Sequence, residues 1–105
     1  MPTIPEIFAE MPNRYVPGIV TADTSYYFSV GEHKYTIIAK ATECIVLFGT
    51  HVQNADCVIV SQPNVFINLV IHGRRPSSRD LLLKRFKVSD LSKLMQLKEL
   101  FEFQI

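Results

Sequence analysis

At 105 residues, with 48% apolar and 20% charged side chains, the chain has the composition of one globular domain and not of a disordered segment. No apolar run approaches the roughly 18 residues that mark a membrane-spanning helix. The formal net charge of +1 says little, but its distribution is uneven: residues 1–71 carry three Lys/Arg against six Asp/Glu, and residues 72–105 carry eight against four.

In chain order, Thr3 followed by Glu6 has capping-box spacing and predicts a short helix over 4–11, with Ile4, Ile7, Phe8 and Met11 on one face. Pro12 and the Val16-Pro17-Gly18 run are expected to end it. From Ser25 the period changes to two. Residues 25–30, 35–41 and 43–49 read as three strands of an antiparallel meander, the first turn at Gly31 and the second near Ala41 and Thr42. Residues 51–55 read as a loop and 56–61 as a fourth strand. Ser61 is the expected N-cap of a helix carrying Val65, Phe66, Leu69 and Val70, with Pro63 in its first turn and Gly73 just past its end. Ser77 and Asp80 have capping-box spacing for a short helix over 79–84. A brief strand at 85–88 turns Phe86 and Val88 inward, and Asp90 or Ser89 caps a last helix. That helix carries Leu91, Leu94, Met95, Leu97, Leu100 and Phe101, an apolar arc wider than a minimal core stripe. Meandering strands followed by mostly segregated helices predict an α+β fold in a single domain spanning 1–105.

The residue types that carry chemistry are sparse. Cys44 and Cys57 each lie in an apolar run without CxxC spacing and read as reduced, buried thiols. His33, His51 and His72 sit in turns or at a helix end, so a zinc site from Cys44, His51 and Cys57 has no spacing to support it. There is no G-x-S-x-G, P-loop or G-x-G-x-x-G pattern, and no catalytic residue or cofactor is expected. The tyrosines fall in residues 15–35, away from the basic group of Arg74, Arg75, Arg79, Lys84, Arg85 and Lys87, which argues against a nucleic-acid partner. That basic group is either a solvated face or a site for a phosphate-bearing ligand or an anionic membrane surface. Residues 1–18 carry Glu6, Glu10 and four prolines, unlike a secretory signal, and the expected location is the cytoplasm.

Taken together, these features resemble the sterol carrier protein type 2 (SCP-like) family. The stretch IFAEMPNRYVPG at 7–18 is similar to its opening helix, and YYFSV at 26–30 to its first strand. The run at 54–76 resembles its Ala-Asp, aliphatic strand and Gly-terminated helix. The run at 81–101 resembles its closing strand, Asp and Leu-rich helix. Where the family commonly has Gly before that Asp, this chain has Ser89. The resemblance implies a five-stranded sheet with α-helices packed on one face. It further implies an apolar tunnel between sheet and C-terminal helices for a fatty acyl chain, acyl-CoA, sterol or phospholipid, and no catalysis by the domain. Some bacterial relatives assist the synthesis of lipid-tailed quinones. On this basis the expected lipid wall is Phe28, Ile37, Phe66, Leu69, Val70, Leu94, Met95, Leu97 and Phe101. Arg74, Arg75, Arg79 and Lys84 are expected beside an anionic headgroup. Two readings from other classes stay open: an interaction or regulatory domain with a filled core, and a small enzyme acting on acyl thioesters. The oligomeric state is open as well.

Overall fold

Thr24, Tyr26, Phe28 and Val30 are buried while the residues between them are half-buried, the signature of a strand with one face in a core. A computed structural model of the chain describes residues 3–49, 54–72, 74 and 76–101, apart from the side chain of Lys98. Residues 51–53 of the loop expected over 51–55, with His51, and the expected helix terminator Gly73 lie outside the described residues.

Strands β1 (Thr24–Val30), β2 (His33–Ala39) and β3 (Cys44–Phe48) form the expected antiparallel meander. Gly31 turns the first hairpin at φ +60, a left-handed conformation that a side chain disfavours, and an added Cβ would stand 3.0 Å from the Pro63 ring. Strand β4 (Cys57–Ser61) does not extend the meander beyond β3. It pairs in parallel with β1, Tyr26 opposite Cys57, and β5 (Phe86–Val88) pairs antiparallel with β4. The result is a five-stranded mixed sheet in the order β3-β2-β1-β4-β5. Ser61, expected to cap the following helix, is instead the last residue of β4. Pairing on both flanks, with Val30 and Phe86, holds it in the sheet, and its hydroxyl donates to the Gln62 carbonyl.

Helix α1 (Ile4–Arg14) begins as expected, with the Thr3 side chain accepting the Glu6 N–H. It runs three residues past its expected end, through Pro12. A proline this late in a helix removes the N–H that would meet the Phe8 carbonyl, and it disfavours helical geometry at Met11. Tertiary contacts outweigh that cost. Met11 is buried, Tyr15 bridges to Phe101, the Val16 N–H donates to the Leu100 carbonyl at 2.7 Å, and the Tyr15 hydroxyl donates to the Lys40 carbonyl at 2.6 Å.

Helices α2 (Pro63–His72), α3 (Ser78–Leu82) and α4 (Leu91–Leu100) follow. Phe8 of α1 stacks on Tyr35 of β2 at 4.0 Å and on Phe66 of α2 at 5.5 Å, and meets Phe28 of β1 edge-on at 5.3 Å. Helix α4 reaches the same face of the sheet. The Tyr26 hydroxyl donates to the Lys93 carbonyl at 3.1 Å, and the Cys57 thiol lies 3.6 Å from the Asp90 carbonyl. Helices α1, α2 and α4 therefore share one face, while Tyr27, Ile38, Ile45, Leu47 and Val58 on the other stay half-buried. This is an α+β fold with helices on one face of a five-stranded sheet. Among the described residues, no helix is long and apolar enough to cross a membrane.

A leucine-lined groove as the candidate functional site

The wide apolar arc of the last helix resolves into two stripes. Leu94, Leu97 and Leu100, three residues apart, point into the core and are buried. Leu91, Met95 and Glu99, four apart, run along a second face, where Leu91 is 64% and Met95 59% exposed. Asp90 starts the helix by accepting the Lys93 N–H, so the register of both stripes is fixed from its first turn.

Helix α3 stands opposite. Its capping box is complete: the Ser77 hydroxyl accepts the Asp80 N–H, and the Asp80 carboxylate accepts the Ser77 N–H. Hydrogen bonds from Ser77, chiefly through its backbone N–H, hold the Asp80 carboxyl below its ordinary range, and Arg85 at 3.5 Å adds to the effect. Lys84 takes a left-handed turn at φ 58 and sends the chain back into β5, with the Arg85 N–H donating to the Asp80 carbonyl at 2.8 Å. This short, closed unit buries none of its own helical side chains. Leu81, Leu82 and Leu83 remain 54%, 81% and 51% exposed.

Between these elements lies a groove of about 470 Å³. Its floor is Phe86 and Val88 of β5, its walls are Leu69 of α2 with Leu94 and Met95 of α4, and its rim is Pro76, Leu81, Leu91 and Glu99. The size is within the range of small-molecule sites, roughly 300–1,000 Å³. Among the described residues, Glu99 is the one ionisable residue in the lining.

Of the nine residues expected to form a lipid wall, Leu69, Leu94 and Met95 line this groove. Phe28, Ile37 and Phe66 are fully buried in the packed interior, Leu97 is buried, Val70 is half-buried, and Phe101 is buried against Tyr15. Pro76, Leu81, Phe86, Val88, Leu91 and Glu99 were not singled out as site residues by the sequence pattern. One signal for part of the rim was visible: three consecutive leucines in so short a helix cannot all face a core. Of the expected headgroup residues, Arg74, Arg79 and Lys84 are exposed on the stretch that borders the groove, and Arg75 lies outside the described residues.

The remaining reactive groups are quiet. Cys44 and Cys57 are free and buried. They sit on β3 and β4, three strand spacings or about 14 Å apart, beyond disulfide reach. Burial, then the Glu43 charge, pushes the Cys44 thiol up to about 11, and burial also raises Cys57. Among the described residues, no three His, Cys, Asp or Glu side chains gather in a way that would hold a metal.

No protein-family model and no curated protein matches the sequence. Solved structures do match in fold. The sec-alkylsulfatase Pisa1 from a Pseudomonas species superposes with a TM-score of 0.77 at 12% identity over 92% of this chain. A double mutant of that sulfatase gives 0.73 at 12% identity over 99%. This chain spans only 16% and 18% of those two chains. UbiJ-SCP2, a ubiquinone synthesis protein, superposes with a TM-score of 0.63 at 16% identity over 94% of this chain and 91% of its own. The chain thus has an SCP2-like fold, which also occurs as a small part of much longer proteins.

Proposed function

We propose that this domain is a non-catalytic lipid binder that takes an aliphatic chain into the groove between α2, α3, β5 and α4. The observation that supports this most directly is the groove itself: an apolar slot of about 470 Å³ in an SCP2-like fold, with one ionisable side chain among the described residues of its lining. Each methylene withdrawn from water contributes about 0.8 kcal/mol. An open groove captures part of that, and ordering of the chain removes several kcal/mol. Fatty acids, acyl-CoA, sterols and phospholipids are the candidate ligands, with Arg74, Arg75, Arg79 and Lys84 next to an anionic head. The domain works in the cytoplasm on this reading, and any chemistry on the lipid is done elsewhere.

Delipidated protein should bind a fluorescent fatty acid from solution, with no vesicles present, and unlabelled lipid should displace it. Leu91→Asp and Met95→Asp should abolish that binding while leaving the fold intact, since both side chains are more than half exposed. A wild-type protein that none of the four lipid classes protects against heating or competes with the probe would instead support the interaction domain with a filled core.

A second reading is favoured by the match to UbiJ-SCP2 over most of both chains. Here the bound lipid is the polyprenyl tail of a quinone precursor, and the domain is an accessory factor in making lipid-tailed quinones. Lipid extracted from protein purified out of its native host distinguishes the two: a prenylated aromatic supports the second reading, acyl lipids the first.

A further inference from the structure

Five of the eight exposed large apolar side chains among the described residues belong to one region: Leu81, Leu82, Leu83, Leu91 and Met95. Leu91, Met95 and Leu81 line the groove; Leu82 and Leu83 do not, so ligand in the groove would leave them in water. Leu82, at 81%, is the most exposed of the eight. Isolated exposed leucines need no explanation, but adjacent ones beside a cavity mouth do.

The shape of this cluster narrows what can cover it. Consecutive residues of a helical turn project about 100° apart, so the three leucines form a convex knob and not a flat stripe. A protein pocket would have to match that knob in shape, whereas the acyl boundary of a bilayer deforms around it. The charges on this stretch are mainly basic, with Glu99 an acid on the opposite rim of the groove. Arg74, Arg79 and Lys84 are exposed, and the one acid of the stretch, Asp80, is occupied by Ser77 and Arg85. Residues 1–71, by contrast, carry an excess of acidic groups. An apolar tip in a basic collar fits an anionic lipid surface.

We propose that the α3 turn is a membrane-docking knob: Leu82 and Leu83 enter the headgroup boundary of an anionic bilayer, and Arg79, Lys84 and Arg74 pair with lipid phosphates. Docked this way, the rim formed by Leu81 and Leu91 faces the membrane, and a lipid passes into the groove without crossing bulk water. The purpose of docking rests on the lipid-binding reading, but the docking itself rests on the surface alone.

The test is co-sedimentation of the full chain with vesicles of phosphatidylcholine alone and of phosphatidylcholine mixed with phosphatidylglycerol. Wild type should bind the mixed vesicles and release when ionic strength is raised from about 0.01 M to about 0.5 M. Leu82→Asp should weaken partitioning by at least about tenfold, the equivalent of one lost buried leucine. Arg79→Glu with Lys84→Asn should do the same, asparagine being chosen because it tolerates the left-handed turn. Phe48→Asp, at a 75% exposed residue on the far edge of the sheet, should change nothing. Equal binding to both vesicle types, an undiminished Leu82→Asp variant, or self-association in solution that Leu82→Asp abolishes would each overturn the proposal. Fatty-acid displacement measured without vesicles should be unaltered in Leu82→Asp, so loss of docking and loss of ligand binding are read separately.

Discussion

The two ends of the helical layer use similar apolar residues for opposite purposes. At one end Phe8, Phe28, Tyr35 and Phe66 interlock ring on ring, all four buried. At the other, Leu81, Leu91 and Met95 stand around open space, each more than half exposed. The difference lies in how each side chain's own element is anchored. Helices α1 and α2 carry their aromatics onto the sheet between strands that pair on both sides. Helix α3 is five residues long, is closed by its own cap and turn, and rests beside a three-residue edge strand. Composition alone does not separate core from groove; anchoring does.

The comparison breaks first on stability. Phe66→Ala removes a fully buried ring that two other rings touch, and should cost about 3–5 kcal/mol. Leu82→Ala should change stability by no more than about 0.5 kcal/mol. Urea denaturation monitored by circular dichroism measures both. Comparable losses would mean that the α3 turn is packed as tightly as the aromatic cluster, and the groove would then not be a separate region.

Ligand should discriminate next. At a free fatty-acid concentration of 100 times Kd, wild type should gain about 2.7 kcal/mol, and Met95→Asp nothing. A substitution at Leu97 or Phe101, both expected in the wall, is a poor test. Each is buried in the core, so a charge there would unfold the protein before it informed on binding.

Much of this was legible in the sequence, for physical reasons that differ by element. The period-two alternation read over 25–30 and 35–41 requires one buried face, and the N-cap at Thr3 and the capping box at Ser77 are local hydrogen-bond chemistry that tertiary structure rarely overrides. The parallel pairing of β4 with β1 was not legible from local pattern, because it depends on which strand edge is free after the meander closes. Helix α1 ran past Pro12 because contacts to Leu100, Phe101 and Lys40 lie far along the chain. The departure at Ser89 has a role visible only in the fold: its hydroxyl accepts the Val58 N–H at 2.8 Å, joining the end of β5 to β4. For the site, hydrophobicity identified wall and core residues together. Leu69, Leu94 and Met95 face the groove and Phe28, Ile37 and Phe66 do not, and that division follows from which neighbours cover each residue.

A smaller effect should appear with pH, and it belongs to the packed region. Burial raises the Cys44 thiol from its ordinary 9.0 to about 11, so the folded state keeps a proton that the unfolded state releases. Stability is then fully present below about pH 9 and falls as pH rises toward about 11. Cys57 and Tyr26, both raised mainly by burial, act in the same direction. Urea midpoints across this window should decline, and Cys44→Ser should flatten part of the slope. An unchanged slope in that variant would place the titration elsewhere.

The finest test concerns the cap of α3. Ser77→Ala removes the acceptor for the Asp80 N–H and should cost about 1 kcal/mol, but only of local order. Helix α3 buries none of its own residues, so its opening exposes little and need not propagate to the sheet. Amide exchange at Leu81, Leu82 and Leu83 should therefore quicken by about fivefold, while the amides of β1 and β2 keep their protection and the global urea midpoint stays in place. Equal acceleration in β1 would show that the groove wall and the aromatic core open as one cooperative unit. The groove would then be a surface of the core and not a separately hinged wall, and its occupancy by lipid would have to stabilise the whole domain to the same extent everywhere.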